Sequence, residues 1–152
     1  MRMTTTETTD TSTTTDPSAR NLGIVGEIYA AFGRGDVPYI LDQLADDISW
    51  DEGIRATDVP WLQGGQGTAA VTAFFTAVGA GMQFTRFEPV SITAGGDHVV
   101  GIVREAVVAV ATGATIPEDL YAHVWTFGAD GKVTAFRHIG DFVTHETALG
   151  LR

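Results

Sequence analysis

Cysteine is absent from the 152-residue chain, so disulfides, thiolate metal sites and a cysteine nucleophile are excluded. Lysine is nearly absent as well. The only one, Lys132, stands in the turn-forming segment GADGK, which argues against a buried Schiff-base lysine. Positive charge is scarce: nine Lys and Arg against nineteen Asp and Glu leave a net charge of −10, which repels a phosphate backbone or an anionic membrane surface. Neither nucleic acid nor membrane is an expected partner. No apolar run precedes Leu22 and none reaches the length of a membrane span, so the expected location is cytoplasmic. Any chemistry is left to carboxylates, tyrosines, hydroxyls and four histidines. A hydrophobic content of 44% against 18% charged residues is enough for one core, and the length fits one domain.

Residues 1–19 form a threonine-rich stretch too polar to offset its own ordering entropy, and a disordered tail is expected there, followed by a single domain over 20–152. Asp16-Pro17 reads as a helix start. Leu22, Val25, Ile28, Tyr29 and Phe32 then share one helical face up to Gly33 and Gly35, and Asp36 caps a second helix through Val37, Ile40, Leu41 and Leu44. A brief strand is expected over 48–52, a long turn-rich loop over 53–67, and a third helix from Thr68 with Val71, Phe74, Phe75 and Val78 inward. From Met82 the period becomes strand-like, with runs at 83–93, 98–112, 120–127 and 132–139. Helices first and hairpin-linked strands afterwards indicate an α+β domain, with three N-terminal helices covering one face of a curved antiparallel sheet.

In the segments IYAAFGRGD, LADDISW, AAVTAFFTAV, FTRFEPVSITAGGDHVVGI, YAHVWTFGADGKVTAFRH and GDFVTHETAL, the chain resembles the SnoaL-like branch of the nuclear transport factor 2-like superfamily. The resemblance runs from about Asn21 to Leu149. It implies a cone-shaped sheet and helices enclosing an apolar pocket, in a superfamily that includes ketosteroid isomerases, limonene-1,2-epoxide hydrolase and polyketide cyclases.

With GADG as the hairpin loop, strand parity puts His123, Trp125, Phe136 and His138 on one face and Val124, Thr126, Ala135 and Arg137 on the other. Phe127 then faces Lys132, His123 lies opposite Phe136, and His123 and His138 are diagonal neighbours. The resemblance implies roles for particular positions. Glu52 matches the general base of the isomerases, His123 their oxyanion-binding aspartate, and His138 the last-strand catalytic aspartate of the hydrolases and cyclases. Ile28 occupies the position of the isomerase tyrosine, with Tyr29 one step off the required direction. Glu105 matches a hydrolase aspartate, whereas Val103 stands at the paired arginine and Arg104 points to the other face.

The expected catalytic set is His138, Glu52 and His123, and the expected substrate-binding set is Trp50, Trp125, Phe136, Glu105, Tyr29 and Phe75. The reading is a cofactor-independent acid/base enzyme (isomerase, cyclase, dehydratase or epoxide-hydrolase-like) acting on a small apolar oxygenated molecule. The alternative is a non-catalytic ligand-binding or dimeric interaction domain, with a homodimer through the open sheet face. No cofactor or metal is expected: Glu52, His123 and His138 could form a metal site only by converging, and their spacing is no metal signature. Asp141 is expected to cap the C-terminal turn, His145 to lie on a solvated terminal helix and His98 to follow a turn, neither histidine with a role.

Overall fold

The computed structural model describes residues 16–152, so most of the expected tail, residues 1–15, lies outside the described residues. Helix α1 spans Ser18–Gly33 and buries Asn21, Val25, Ile28, Tyr29 and Ala31. The Asp16 carboxylate accepts the Ser18 N–H at 2.9 Å. Helix α2, Val37–Asp42, is capped by Asp36, which accepts from the Tyr39 N–H at 3.1 Å. It ends before Leu44, which opens strand β1, Leu44–Trp50. The 53–67 segment contains a 3₁₀ turn, Pro60–Leu62, and a two-residue strand β2, Gly65–Gln66. Helix α3, Thr68–Gly81, leads into β3, Met82–Gly95; β4, His98–Ala109; β5, Thr115–Phe127; and β6, Val133–Ile139. A short helix α4, Val143–Ala148, closes the chain. No helix among the described residues is long and apolar enough to cross a membrane.

One six-stranded sheet runs in the order β2-β1-β6-β5-β4-β3. It is antiparallel except where β1 meets β6, a parallel pair and a departure from the expected all-antiparallel sheet. The two strands are separated in sequence by α3 and three long strands, so no hairpin dictates their direction. Register shifts at Phe84/Arg86, Pro89/Ser91 and Glu105/Val107 bend the long strands, and such irregularities curve a sheet around what it encloses. Strand β4 alternates strictly between buried and half-buried residues, with Val99, Val103, Glu105 and Val107 inward.

The apolar interior consists of two clusters. One joins α1, α2, β1 and the middle of the sheet through Val25, Ile40, Ile48 and Val99, and the other joins the 3₁₀ turn, the end of α3 and α4 through Val59, Leu62, Val78 and Ala148. A cavity lies where they meet, bounded by residues of both.

The β5–β6 register differs from the expected one. Phe127 pairs with Val133 rather than Lys132, and the next pair is Thr126 with Ala135, leaving Thr134 bulged. These two one-residue steps bring His123 directly opposite His138 instead of diagonal to it. Because the total slip is two residues, the face assignments survive: His123, Trp125 and Phe136 are buried inward.

Candidate active site

The cavity opens to solvent, and aromatic rings dominate its wall. Trp50 and Phe136, opposite each other in the β1–β6 ladder, stack at 4.0 Å with an interplanar angle of 19°. Trp125 packs on Phe136 at 4.5 Å, and Phe75 lies 6.1 Å from Trp50. The result is an apolar wall of stacked and tilted rings, interrupted by a few polar side chains.

Asp51, next to Trp50, does not line the cavity itself but lies behind its wall, against His138. Strand alternation would send Asp51 outward and Glu52 inward, but Asp51 adopts a left-handed backbone with φ 49°, the one such non-glycine among the described residues. The conformation costs about 1 kcal/mol for an L-residue and breaks the alternation. The Asp51 N–H donates to the Phe136 carbonyl at 2.9 Å, and Gly64 packs so closely that a Cβ there would lie 2.3 Å from the Asp51 carbonyl oxygen. The Asp51 side chain is therefore turned inside, 1% exposed, while Glu52 lies outside the cavity and accepts from Ser49 Oγ at 3.1 Å. The expected inward placement of Glu52 is thus corrected, and the convergence of Glu52 with His123 and His138 that a metal site required does not occur. No group of three or more metal-ligating side chains is assembled among the described residues.

His138, on β6, receives both oxygens of Asp51: its backbone N–H donates to Oδ1 at 2.8 Å, and its Nδ1 lies 2.7 Å from Oδ2. Arg55 completes the corner, with Nη1 3.2 Å from Asp51 Oδ2, Nη2 donating to the His138 carbonyl at 2.6 Å, and its guanidinium 4.4 Å above the Phe142 ring. Burial alone would raise the Asp51 carboxyl, but the hydrogen bonds and charge of His138 together with Arg55 hold it below the usual carboxylate range. An ionised carboxylate can only accept, so Nδ1 of His138 carries a proton, and Nε2 is the ring nitrogen left for the cavity that His138 lines.

His123 sits beside it, the two imidazoles 4.9 Å apart and nearly perpendicular. Trp125 Nε1 donates to Tyr29 Oη at 3.3 Å, and Tyr29 Oη is 2.8 Å from His123 Nδ1. The indole can only donate, so the phenol proton is available to Nδ1, and with the phenol donating there the imidazole proton stands on Nε2. Tyr29 reaches inward because β4 carries Gly101 opposite His123: a Cβ there would lie 2.1 Å from Tyr29 Oη. The expectation that Tyr29 is misdirected is corrected by this gap. Burial holds the His123 imidazole well below its ordinary pKa, with the nearby His138 adding to the effect, and burial likewise raises the Tyr29 phenol. Glu105, 7% exposed, also faces the cavity, and burial pushes its carboxyl up to about 7.

A third histidine is buried where solvation was expected. His145, on α4, is 2% exposed; Trp61 Nε1 donates to its Nδ1 at 3.0 Å, and Tyr121 Oη lies 2.9 Å from its Nε2. The indole N–H fixes Nδ1 as acceptor, so the proton is on Nε2 and donates to Tyr121. Burial first, then the charge of His138, lowers His145 to about 4. This chain ties the 3₁₀ turn, β5 and α4 together in the cavity wall. His98 is exposed beside Asp97, and Asp141 accepts from the Val143 N–H at 3.2 Å as a cap. The spacing of Phe142, His145 and Leu149, three and four residues apart on one helical face, was a sequence signal for an inward His145.

Among the described residues, the buried Trp50 Nε1 and His123 Nε2 have no hydrogen-bond partner within the protein, and Arg55 Nη1 has only its ion pair with Asp51. All belong to residues of this site, and each is a donor that a water or a ligand group can satisfy.

The profile of the SnoaL-like domain family matches residues 25–136. Among solved structures, an NTF2-like protein from Burkholderia xenovorans LB400 is 27% identical with a TM-score of 0.75, over 87% of this chain and 97% of that one. An NTF2-like protein of unknown function from Burkholderia pseudomallei K96243 is 28% identical with a TM-score of 0.70, over 85% and 96%. TerC, co-crystallised with polyporic acid, is 26% identical with a TM-score of 0.70, over 86% and 98%. No curated protein matches.

Proposed function

From the premise that the chain belongs to the SnoaL-like domain family, we propose that its cavity is the active site of a cofactor-independent acid/base enzyme acting on a small, largely apolar carbonyl compound. The observation that carries this reading is the Asp51–His138 pair, whose two hydrogen bonds leave Nε2 as a positioned base at an aromatic cavity. His138 Nε2 takes a proton from the carbon beside the carbonyl, and the carbon–hydrogen electron pair moves to make the enolate. Asp51 stabilises the imidazolium that forms, as a carboxylate beside a charging histidine does. His123 Nε2–H, already in place and without a protein partner, donates to the developing oxyanion. The imidazolium then returns the proton to the same carbon or to another carbon of the conjugated system.

The test is deuterium exchange at carbons next to the carbonyl of a panel of aryl ketones in D₂O, followed by proton NMR. Wild type is expected to accelerate exchange for at least one panel member, and His138→Gln to lower that rate by about 10²–10⁴-fold. Exchange that survives His138→Gln undiminished contradicts the reading. Polyporic acid, the ligand named for TerC, is a first candidate for binding. Tight binding of panel members without any exchange assigns the pocket to ligand binding instead.

A further inference from the structure

Strand β1 stops pairing with β6 at Trp50 and Phe136, two residues before the proposed base. A parallel ladder carried further would give the N–H and C=O of His138 the next backbone groups of β1, but the left-handed Asp51 turns the chain out of the sheet. Side chains take over. Asp51 Oδ1 accepts the His138 N–H at 2.8 Å, and Arg55 Nη2 donates to the His138 carbonyl at 2.6 Å. Arg55 also joins the two, since its Nη1 lies 3.2 Å from Asp51 Oδ2, the oxygen that His138 Nδ1 meets at 2.7 Å. The Arg55 side chain is 17% exposed, with its guanidinium 4.4 Å over the Phe142 ring. His138 is thus gripped at its N–H, its C=O and its ring by one carboxylate and one guanidinium. The guanidinium comes from the 53–67 segment, whose Trp61 and Leu62 line the cavity.

Charge gives this arrangement a second consequence. A buried carboxylate paired with an imidazole alone favours the imidazolium, because an opposite charge within about 4–6 Å stabilises the charged form. Such a pair would orient His138 while leaving Nε2 protonated and unable to take a proton from carbon. Arg55 supplies a permanent counter-charge, since a guanidinium does not lose its proton in a protein. The same charge reaches α4, where it helps to lower His145. The other titratable groups around His138 come from three elements. His123 on β5, its ring 4.9 Å away, and His145 on α4 are imidazoles that burial holds below their ordinary pKa. Glu105 on β4 lies beyond His123, 3.8 Å from its Nε2, and Asp141, between β6 and α4, acts on His145 in the opposite sense to Arg55. Helix α3 presents the Phe74 ring at 5.5 Å. We propose that Arg55 is a positioning residue of the reaction: its charge balances Asp51, so that Asp51 orients His138 without keeping Nε2 protonated, and its Nη2 fixes the peptide that carries the ring. The inference rests on the acid/base reading, in which His138 Nε2 receives the proton from carbon while the Nδ1 proton stays in its bond to Asp51.

The test is a ¹⁵N-edited NMR titration of the His138 imidazole in wild type, Arg55→Met and Arg55→Lys, with no ligand added. Arg55→Met removes the charge at similar length, and its His138 midpoint is expected about one pH unit above that of wild type, the effect of losing one neighbouring cation. Arg55→Lys keeps the charge and is expected to restore the wild-type midpoint. In the ketone exchange assay, the acid limb of the pH–rate profile is expected to move up by the same amount in Arg55→Met and to return in Arg55→Lys. A midpoint unmoved or lowered in Arg55→Met overturns the proposal, as does one displaced equally in both variants, which is what a merely loosened loop would give. Should Arg55→Met fail to fold, the wild-type guanidinium decides it: separate, slowly exchanging Nη resonances are expected for a side chain held by Asp51 and the His138 carbonyl, and averaged Nη resonances overturn the proposal. A displaced midpoint alongside exchange that survives His138→Gln would refute the base assignment alone. Exchange lost in His138→Gln with a midpoint that ignores Arg55→Met would refute the role of Arg55 alone.

Discussion

Glu105→Gln isolates the energetics of one buried carboxyl. A carboxyl raised from 4.5 to about 7 is protonated in the folded chain and ionised in the unfolded chain across that interval. The unfolded state then binds fewer protons, so stability falls as pH rises, starting near the unfolded pKa and levelling off above the folded one. At about 1.4 kcal/mol per pH unit, the interval amounts to about 3 kcal/mol, of which about 2.5 kcal/mol falls between pH 5 and pH 8. Glutamine lacks this dependence, while every other titrating group is common to both proteins. The cost of burying the amide is constant with pH and cancels in the comparison. Urea unfolding of both proteins at pH 5 and pH 8 is therefore expected to show the stability of Glu105→Gln relative to wild type rising by about 2.5 kcal/mol at the higher pH, with unchanged m-values. A relative stability that stays constant to within about 0.5 kcal/mol would refute the claim that Glu105 is buried without a compensating partner.

Three further outcomes follow from the same geometry. Gly101→Ala places a methyl where Tyr29 Oη now lies, so Tyr29 must leave His123; a loss of about 1–3 kcal/mol in urea unfolding is expected, together with disturbed His123 imidazole resonances. His145→Ala leaves Trp61 Nε1 and Tyr121 Oη without their partner, and thermal or urea unfolding is expected to show a loss of about 2–4 kcal/mol at neutral pH. Because burial lowers His145 from 6.5 to about 4, wild-type stability at this residue is present above pH 6.5 and lost as pH falls toward 4, so the alanine variant should show a flatter acid limb. Glu52→Gln, outside the cavity, is expected to change stability by less than about 0.5 kcal/mol and to leave ketone exchange unaltered.

The difference between Glu52 and Asp51 shows what the sequence could and could not disclose. Period and turn residues located the helices and strands, and parity put His123, Trp125, Phe136 and His138 on one face, because a two-residue slip preserves parity. What failed was local. One left-handed residue at the end of β1 exchanged the inward and outward carboxylates, and nothing in LADDISWDE marks where alternation stops. Tyr29 depended on a gap at Gly101, some seventy residues away in sequence, and such a gap is visible only once α1 is laid on β4. Arg55 sat in a loop whose path the sequence left open, yet it anchors Asp51, the His138 carbonyl and the Phe142 ring. His145 was legible in principle, since its helical neighbours are apolar, but the shortness of α4 hid the pattern.

The measurement closest to the central claim is ¹⁵N-edited NMR of the four imidazoles in wild type and in Asp51→Asn. Nδ1 of His138 is expected to be protonated in wild type and to lose that preference in Asp51→Asn, while His123 and His145 remain neutral at pH 6 with protons on Nε2. A His138 tautomer that is the same with and without the Asp51 carboxylate, or a His123 that titrates alongside the exposed His98, would contradict it.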